Sequence, residues 1–424
     1  MATLKVVIPS EICCFAGKTA NAAEGLAFRI AATLVAFMFH QVLHILDVLA
    51  VAATAASLAY YLLCLWSIRV ILRGKQAAGE GARPTQPASI LKPLRGTDPE
   101  MYESFRSHCL QDYPEYEIIF GVSDSSDPAI ELVKHLQSEF PQCTIRLVVC
   151  RETLGANVKV SNLVQMLSEA QHEYLIVNDS DIRVSPDYLR RVFAPLTDPG
   201  VGLVTCLYRG IASRTLGSRL EALGISTDFC PGVLAAQQLE GIKFGLGSTL
   251  AFRRGDLKAV GGFEAIADYL ADDYELGKRI AALDRTIVLS DVVVETFLPP
   301  YTLPGFFAHQ LRWARAIRDS RFWGYLGMGT TFGLPWALLA LILAPGVAWV
   351  WGLLAVTAAL RLAVAIYTGE TVLEDRQTMR FLPLLPLRDV LAMLVWLVSF
   401  AGHTVSWRGD LFRLKNGKLA RRTV

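Results

Sequence analysis

The 424-residue chain lacks the signatures of several large function classes. Its eight cysteines, Cys13, Cys14, Cys64 and Cys109 among them, form no CxxC pair and show no zinc spacing. Neither a disulfide framework nor a zinc site is expected, and free thiols in a reducing compartment are the simpler reading. No GxxxxGK[ST] loop occurs, which argues against P-loop nucleotide hydrolysis. No GxGxxG follows the first strand-like run, which ends KPLRGTD, so a dinucleotide-binding domain is disfavoured. Charge is scarce as well, at 19% of residues and a net +2. With no basic stripe interleaved with aromatics, nucleic acid is not an expected partner.

What the chain has in excess is apolar surface: 53% hydrophobic residues and a mean hydropathy of +0.37. The excess is unevenly spread. Residues 48–68 carry no charge and are followed by Arg69, Arg73 and Lys75. That stretch meets the ~20 residues a helix needs to cross a bilayer, with its basic end on the cytoplasmic side. We assign 48–73 to this helix and its flank. Residues 1–47 are read as an apolar extension, either a second hydrophobic segment or an interfacial one, weakened by His40, His44 and Asp47. No small-residue cleavage site follows a short core, so it does not read as a cleaved signal peptide. Further apolar stretches at 331–367 (interrupted by Pro345, Gly346 and Arg361) and 384–405 define a C-terminal membrane region, 328–407, of two or more segments. The basic tail 408–424 again favours the cytoplasmic face.

Between these ends lies an alternating pattern. A Gly/Pro/polar linker, 74–87, opens a unit of about 88–305 with strand-length apolar runs at 88–94, 116–122, 144–149, 174–178 and 202–207. Helical patterns separate them, several starting at Asp-Pro or Ser-Pro pairs (Asp98, Asp127, Ser185). Strands alternating with helices predict a mostly parallel sheet covered on both faces, with ligands beyond the carboxyl ends of the strands. Asp124 and the triplet Asp179-Ser180-Asp181 each follow the last apolar residue of a run, so both fall on that rim.

An Asp-x-Asp triplet is weak by itself, and a solvated turn explains it as readily. At a strand's carboxyl end, however, two carboxylates can give oxygen ligands to Mg²⁺ or Mn²⁺ that keeps waters and substrate phosphates. Asp124 serves equally as a cap for the following helix. Asp272 and Asp273 open a helical pattern, where they suit the helix dipole or supply a general base. In 306–327, Arg312, Arg315, Arg318 and Arg321 recur every three residues beside Trp313, Phe322 and Trp323. An interfacial helix is expected there, its arginines meeting lipid phosphates or a nucleotide diphosphate.

Taken together, LKPLRGTDP, SDSSDPAI, GANVKVSNL, NDSDIRV, ADDYELGKRIA and Arg312-Trp313 resemble the ceramide glucosyltransferase family of membrane-bound, inverting GT-A glycosyltransferases. Bacterial hopanoid-associated glycosyltransferases look closely similar. The resemblance implies an α/β GT-A domain flanked by transmembrane helices. It puts Asp124 on the uridine of a UDP-sugar and Asp179 at the metal–diphosphate site. Asp181 completes a DxD there, for a divalent metal. The proposed base falls on Asp273, and the (Q/R)xxRW motif on His309, Arg312 and Trp313, with His309 departing from the pattern. Lys159 and Asn162 would line the donor site; Gly247 and Ser248 fall near the acceptor. The implied reaction is transfer of a sugar, glucose in the first reading, from UDP to the hydroxyl of a bilayer lipid such as ceramide. N-acetylglucosamine on a hopanoid is the nearest rival, ahead of a processive polysaccharide synthase and a non-catalytic membrane scaffold. The expected setting is a bacterial inner membrane with the catalytic domain on its cytoplasmic side.

Overall fold

The computed structural model describes residues 10–77, 84–407 and 410–421. The apolar runs become strands where they stand in the sequence: β1 (Ala88–Leu94), β2 (Tyr116–Val122), β3 (Thr144–Val149) and β4 (Tyr174–Val177). With β5 (Ile182–Arg183), β6 (Val201–Ile211), β7 (Leu250–Arg253) and β8 (Thr286–Phe297) they form one sheet of order β3-β2-β1-β4-β7-β6-β8-β5. β1 to β4 are mutually parallel, β6 is parallel to β8, and β7 runs antiparallel between β4 and β6. Because β1 is flanked by β2 on one side and β4 on the other, a crevice opens beyond the carboxyl ends of these three strands.

Both faces of the sheet are covered, which is why its strands read as continuous apolar runs rather than alternating ones. Ile90 packs with Phe105, Val133 and Leu189 on one face. Its neighbour Leu91 points the other way, toward Leu163, Met166 and Leu276. The helix Ala129–Glu139 starts as its Asp-Pro pair predicts, the Asp127 carboxylate accepting from Ala129 N at 2.9 Å. Asp98 does not cap a helix. Its carboxylate accepts from the Ser180 hydroxyl at 2.6 Å, and the helix Met101–Cys109 begins only after Glu100, at φ 52°.

Four expectations about the flanks need correcting. The extension 1–47 and the helix 48–73 are one element, Ser10–Ala77, with residues 1–9 outside the described range. The residues between Gly25 and Gly74 include no glycine or proline, so His40, His44 and Asp47 lower the hydropathy without breaking the helix. That helix also runs into the linker 74–87, of which 78–83 lie outside the described residues. The interfacial helix 306–327 is two helices, Leu303–Ser320 and Phe322–Gly327, broken at Arg321 (φ −143°, ψ 66°). The tail is not a simple extension either. Residues β9 (Thr404–Trp407), β10 (Asp410–Lys415) and β11 (Lys418–Arg421) make an antiparallel meander around Val405, Phe412, Leu414 and Leu419, with 408–409 and 422–424 not described.

Thr33–Gly74, Ala348–Val372 and Arg376–Ser399 are long and apolar enough to cross a membrane, and the pair Phe322–Thr331 and Gly333–Leu343 meets at 56°. The N-terminal helix packs on this region through Ala50, Ala340 and Val350. It reaches the catalytic domain through Tyr61 and Cys64 against Ala235. Arg361, the charge that interrupts an apolar run, is buried and fully engaged. It donates to Asp389 at 2.7 Å, to Asp228 at 2.5 Å and to Thr227 O at 2.8 Å. A buried cation is tolerated when it is paired and hydrogen-bonded in this way.

Candidate active site

β4 ends at Val177, and Asn178 then locks the turn. Its amide donates to Ser248 O at 2.7 Å and to the Tyr188 hydroxyl at 2.8 Å. Asp179 follows at the mouth of the crevice, with its carbonyl accepting from the buried Lys92 ammonium at 3.0 Å. Burial pulls the Lys92 pKa down to about 7, against the opposing pull of Asp181 and Asp179.

Lys159, from the helix Val158–Glu169, binds two carboxylates at once: Asp179 Oδ1 at 2.8 Å and Asp272 Oδ2 at 3.1 Å. Burial alone would depress this lysine, but Asp179 and Asp272 raise it above the usual range and keep it charged. Of the two aspartates opening the helix Asp272–Ala281, Asp272 is thus the buried anchor. Asp273 forms no such ion pair among the described residues. Its Oδ1 accepts from Tyr274 N at 2.8 Å, and burial followed by the charge of Asp272 pushes its pKa up to about 6.

Asp179 and Asp273 come together across Gly247. A Cβ placed on Gly247 would lie 3.2 Å from Asp179 Oδ2 and 3.2 Å from Asp273 Oδ2. Both carboxylates therefore border the bare backbone of Gly247.

Asp181 turns its carboxylate toward the Thr296 hydroxyl on β8, which donates to Oδ2. Burial and the neighbouring Asp179 push its pKa up to about 6. Asp179 Oδ2 and the second oxygen of Asp181 are hard oxygen donors on one short loop. Among the described residues no three Asp, Glu, His or Cys side chains converge as a complete ligand set. The donor chemistry fits Mg²⁺ or Mn²⁺ only as a partial shell, to be completed by water and phosphate oxygens.

Asp124 is exposed at the end of β2, where its Oδ1 accepts from Ser126 N and the Ser126 hydroxyl, both at 2.8 Å. Those bonds hold its pKa below the usual carboxylate value. The helix cap is Asp127, not Asp124. Two sequence expectations shift here. Asn162 is buried and does not line the crevice, because its Oδ1 accepts from Ser123 at 2.9 Å and so braces the turn before Asp124. The Ser248 hydroxyl donates to Cys206 O at 3.0 Å inside the core, so only its backbone borders the site.

The arginine ladder of the helix Leu303–Ser320 divides by function. Arg315 donates to Thr404 O and to Ala401 O, the latter at 2.9 Å, and Arg318 donates to Ser399 O and to Gly402 O, the latter at 2.8 Å. Arg321 pairs with Glu240 at 2.7 Å. These three secure the C-terminal segment and the helix break. Arg312 alone of the four has no carbonyl or carboxylate partner among the described residues, only His309 Nδ1 at 3.0 Å. The His309 ring lies 5.1 Å from Tyr301 and 6.1 Å from the half-exposed Trp313.

The meander reaches the site from behind. Leu270 N donates to Gly417 O at 3.1 Å and Leu419 N to Asp268 O at 2.7 Å, just before Asp272 and Asp273. Lys418 caps the Tyr269 ring at 5.2 Å. Lys92, Thr296 and this meander carry no signal in the sequence that marks them as site-forming, whereas Asp272 stands out there as the first of a carboxylate pair.

Comparison with known proteins bears on the family and the fold. Curated relatives include ceramide glucosyltransferase 3 of Caenorhabditis elegans, 27% identical over 194 residues (46% of this chain and 42% of that protein). Ceramide glucosyltransferase 1 of the same organism is 25% identical over 234 residues (55% and 50%). The chain thus spans about half the length of the curated relatives it matches. A solved mannosyltransferase from Pyrobaculum calidifontis, in complex with GDP-Man and Mn²⁺, shares the fold. Its TM-score is 0.55 at 23% identity, covering 83% of this chain and 99% of that one. The model of glycosyl transferase family 21 matches residues 49–420, and the chain belongs to that family.

Proposed function

We propose that this protein is a membrane-bound hexosyltransferase that moves a sugar, glucose in the first reading, from a UDP-sugar to the hydroxyl of a lipid such as ceramide. The observation that carries the reading is the convergence of the Asp179 and Asp273 carboxylates on Gly247. Its curated relatives named as ceramide glucosyltransferases support the donor and the acceptor class. The apolar helices support an acceptor drawn from a bilayer, and the basic flank Arg69, Arg73 and Lys75 supports a cytoplasmic catalytic domain.

In this mechanism Asp124 meets the uridine, and Asp179 and Asp181 face the diphosphate. A divalent metal held by those two carboxylates would offset the charge on departing UDP. Lys159 neutralises Asp179 on one edge and orients it, while Arg312 adds positive charge at the diphosphate. Asp273 takes the proton from the acceptor hydroxyl as its oxygen attacks the anomeric carbon, and a single displacement inverts that centre. A base with a pKa near 6 is largely ionised at neutral pH yet still basic enough to accept that proton.

The test is incubation of membranes carrying the protein with labelled UDP-glucose or UDP-N-acetylglucosamine, offering ceramide and a hopanoid polyol. Labelled glucosylceramide is the expected product. A labelled N-acetylglucosaminyl hopanoid would move the assignment to the rival donor and acceptor, and no lipid product from any pair would refute the reading.

A further inference from the structure

The helix Leu216–Gly224 carries a buried carboxylate, Glu221, that takes no part in the steps above. Its two oxygens serve neighbours on the helix that bears Arg312 and Trp313. Oε2 accepts from Gln310 Nε2 at 2.6 Å, and Oε1 stands 3.6 Å from His309 Nε2. On its other ring nitrogen, His309 meets the Arg312 guanidinium at 3.0 Å. A guanidinium only donates, so His309 Nδ1 must accept and the ring proton must sit on Nε2, facing Glu221. Tyr301 lies tilted against the other side of this pair, its ring centre 5.1 Å from that of His309.

We propose that Glu221 is a positioning residue for sugar transfer: it selects the Nε2–H form of His309 and so keeps the Arg312 guanidinium fixed for the donor diphosphate. The inference rests on the reading that Arg312 meets the donor diphosphate. It also accounts for the departure at position 309. A glutamine there would offer an oxygen to Arg312 without needing a selected tautomer; a histidine needs a partner that decides which nitrogen is bare. The contacts continue past Glu221. Gln310 Oε1 accepts from Arg388 at 3.1 Å, and Arg388 pairs with Asp228 at 3.2 Å, next to Arg361 and Asp389 of the membrane region. A Cβ on Gly224 would collide with the Arg388 guanidinium, so this helix is built to let that arginine through. The helix bearing Arg312 is thereby registered against the membrane helix Leu385–Ser399 through Gln310, the same side chain that donates to Glu221.

The test is a double-mutant cycle in membranes, reading kcat/KM for the UDP-sugar and inhibition by UDP. Glu221→Ala is expected to lower kcat/KM roughly tenfold to a hundredfold in the His309 background. In a His309→Gln background, where no tautomer must be chosen, the same change should cost less than about threefold. An equal loss in both backgrounds would make Glu221 a merely structural residue and overturn the inference. Should Glu221→Ala fail to fold, Glu221→Gln carries the same cycle, because one amide oxygen must then serve both His309 and Gln310. Arg312→Ala separates the two levels of the argument. If it leaves the donor KM and UDP inhibition untouched, the diphosphate reading itself is wrong. If it weakens both while the cycle shows no coupling, only the role of Glu221 falls.

Discussion

Gly247→Ala adds a single methyl group where the Asp179 and Asp273 carboxylates converge. The new Cβ would stand 3.2 Å from a carboxylate oxygen of Asp179 and 3.2 Å from one of Asp273. Contacts of that length require each carboxylate to give way by a few tenths of an ångström, or the reactants to sit further out. The backbone of Gly247 does not adopt a positive φ, so alanine is not strained there and the fold should persist. The effect falls on geometry. Misplacing reacting groups by about 1 Å costs on the order of 10²-fold in rate, and a shift of a few tenths at both ends approaches that. We expect kcat/KM to drop by roughly 30- to 100-fold with the thermal midpoint within about 2 °C of the parent protein. The assay is initial-rate transfer from labelled UDP-sugar in detergent or nanodiscs, alongside a thermal melt. Wild-type turnover from a well-folded Gly247→Ala protein would refute the placement of the reaction beside Gly247.

Other perturbations read different parts of the same account. Because Asp273 must be ionised to act and its pKa is raised to about 6, kcat/KM should fall about tenfold per unit as pH drops below 6 and level off above it. The stability sign is the reverse. A carboxylate whose folded pKa is raised favours the folded state fully only below the unfolded value of about 4, and that contribution is lost as pH rises through 6. Asp273→Asn should therefore raise the thermal midpoint at pH 7 and leave it unchanged at pH 3.5. Excess chelator should abolish transfer, with Mg²⁺ or Mn²⁺ restoring it, and Asp181→Ala should demand more metal for half-maximal rate; full activity in chelator would remove the metal role of Asp179 and Asp181. Phe412→Ala empties the small core of the meander, at a cost of about 3 kcal/mol. A three-stranded meander has little stability to spare, so it should become protease-sensitive and turnover should fall with it.

Much of the catalytic sheet was legible because its strands are buried on both faces. Runs such as ASILKPL and YEIIFGV are continuous apolar segments of strand length, and their observed ends match the sequence reading. Asp124, Asp179 and Asp181 were legible for the same reason: each marks the point where an apolar run stops. Charges that act through a partner distant in sequence were not. Glu221 and Arg388 are far apart along the chain, and nothing local distinguishes them from solvated charges until the fold brings Gln310 between them. Periodicity places the ladder from Arg312 to Arg321 on one amphipathic face. Its members are separated by backbone carbonyls at 399–404 and by Glu240, which a periodicity argument does not contain. The meander was hidden by its basic character, since a short apolar core of Val405, Phe412, Leu414 and Leu419 is spread over alternating positions in a charged tail.

The central claim is that Asp273 removes the acceptor proton while Asp179 and its neighbours hold the donor. It is tested most directly by Asp273→Asn in the purified protein, with UDP-sugar binding measured by calorimetry beside single-turnover transfer. The account predicts donor affinity within about threefold of the parent and transfer reduced by at least about a thousandfold. Wild-type transfer by that variant, or loss of donor binding with no separate effect on the chemical step, would contradict it.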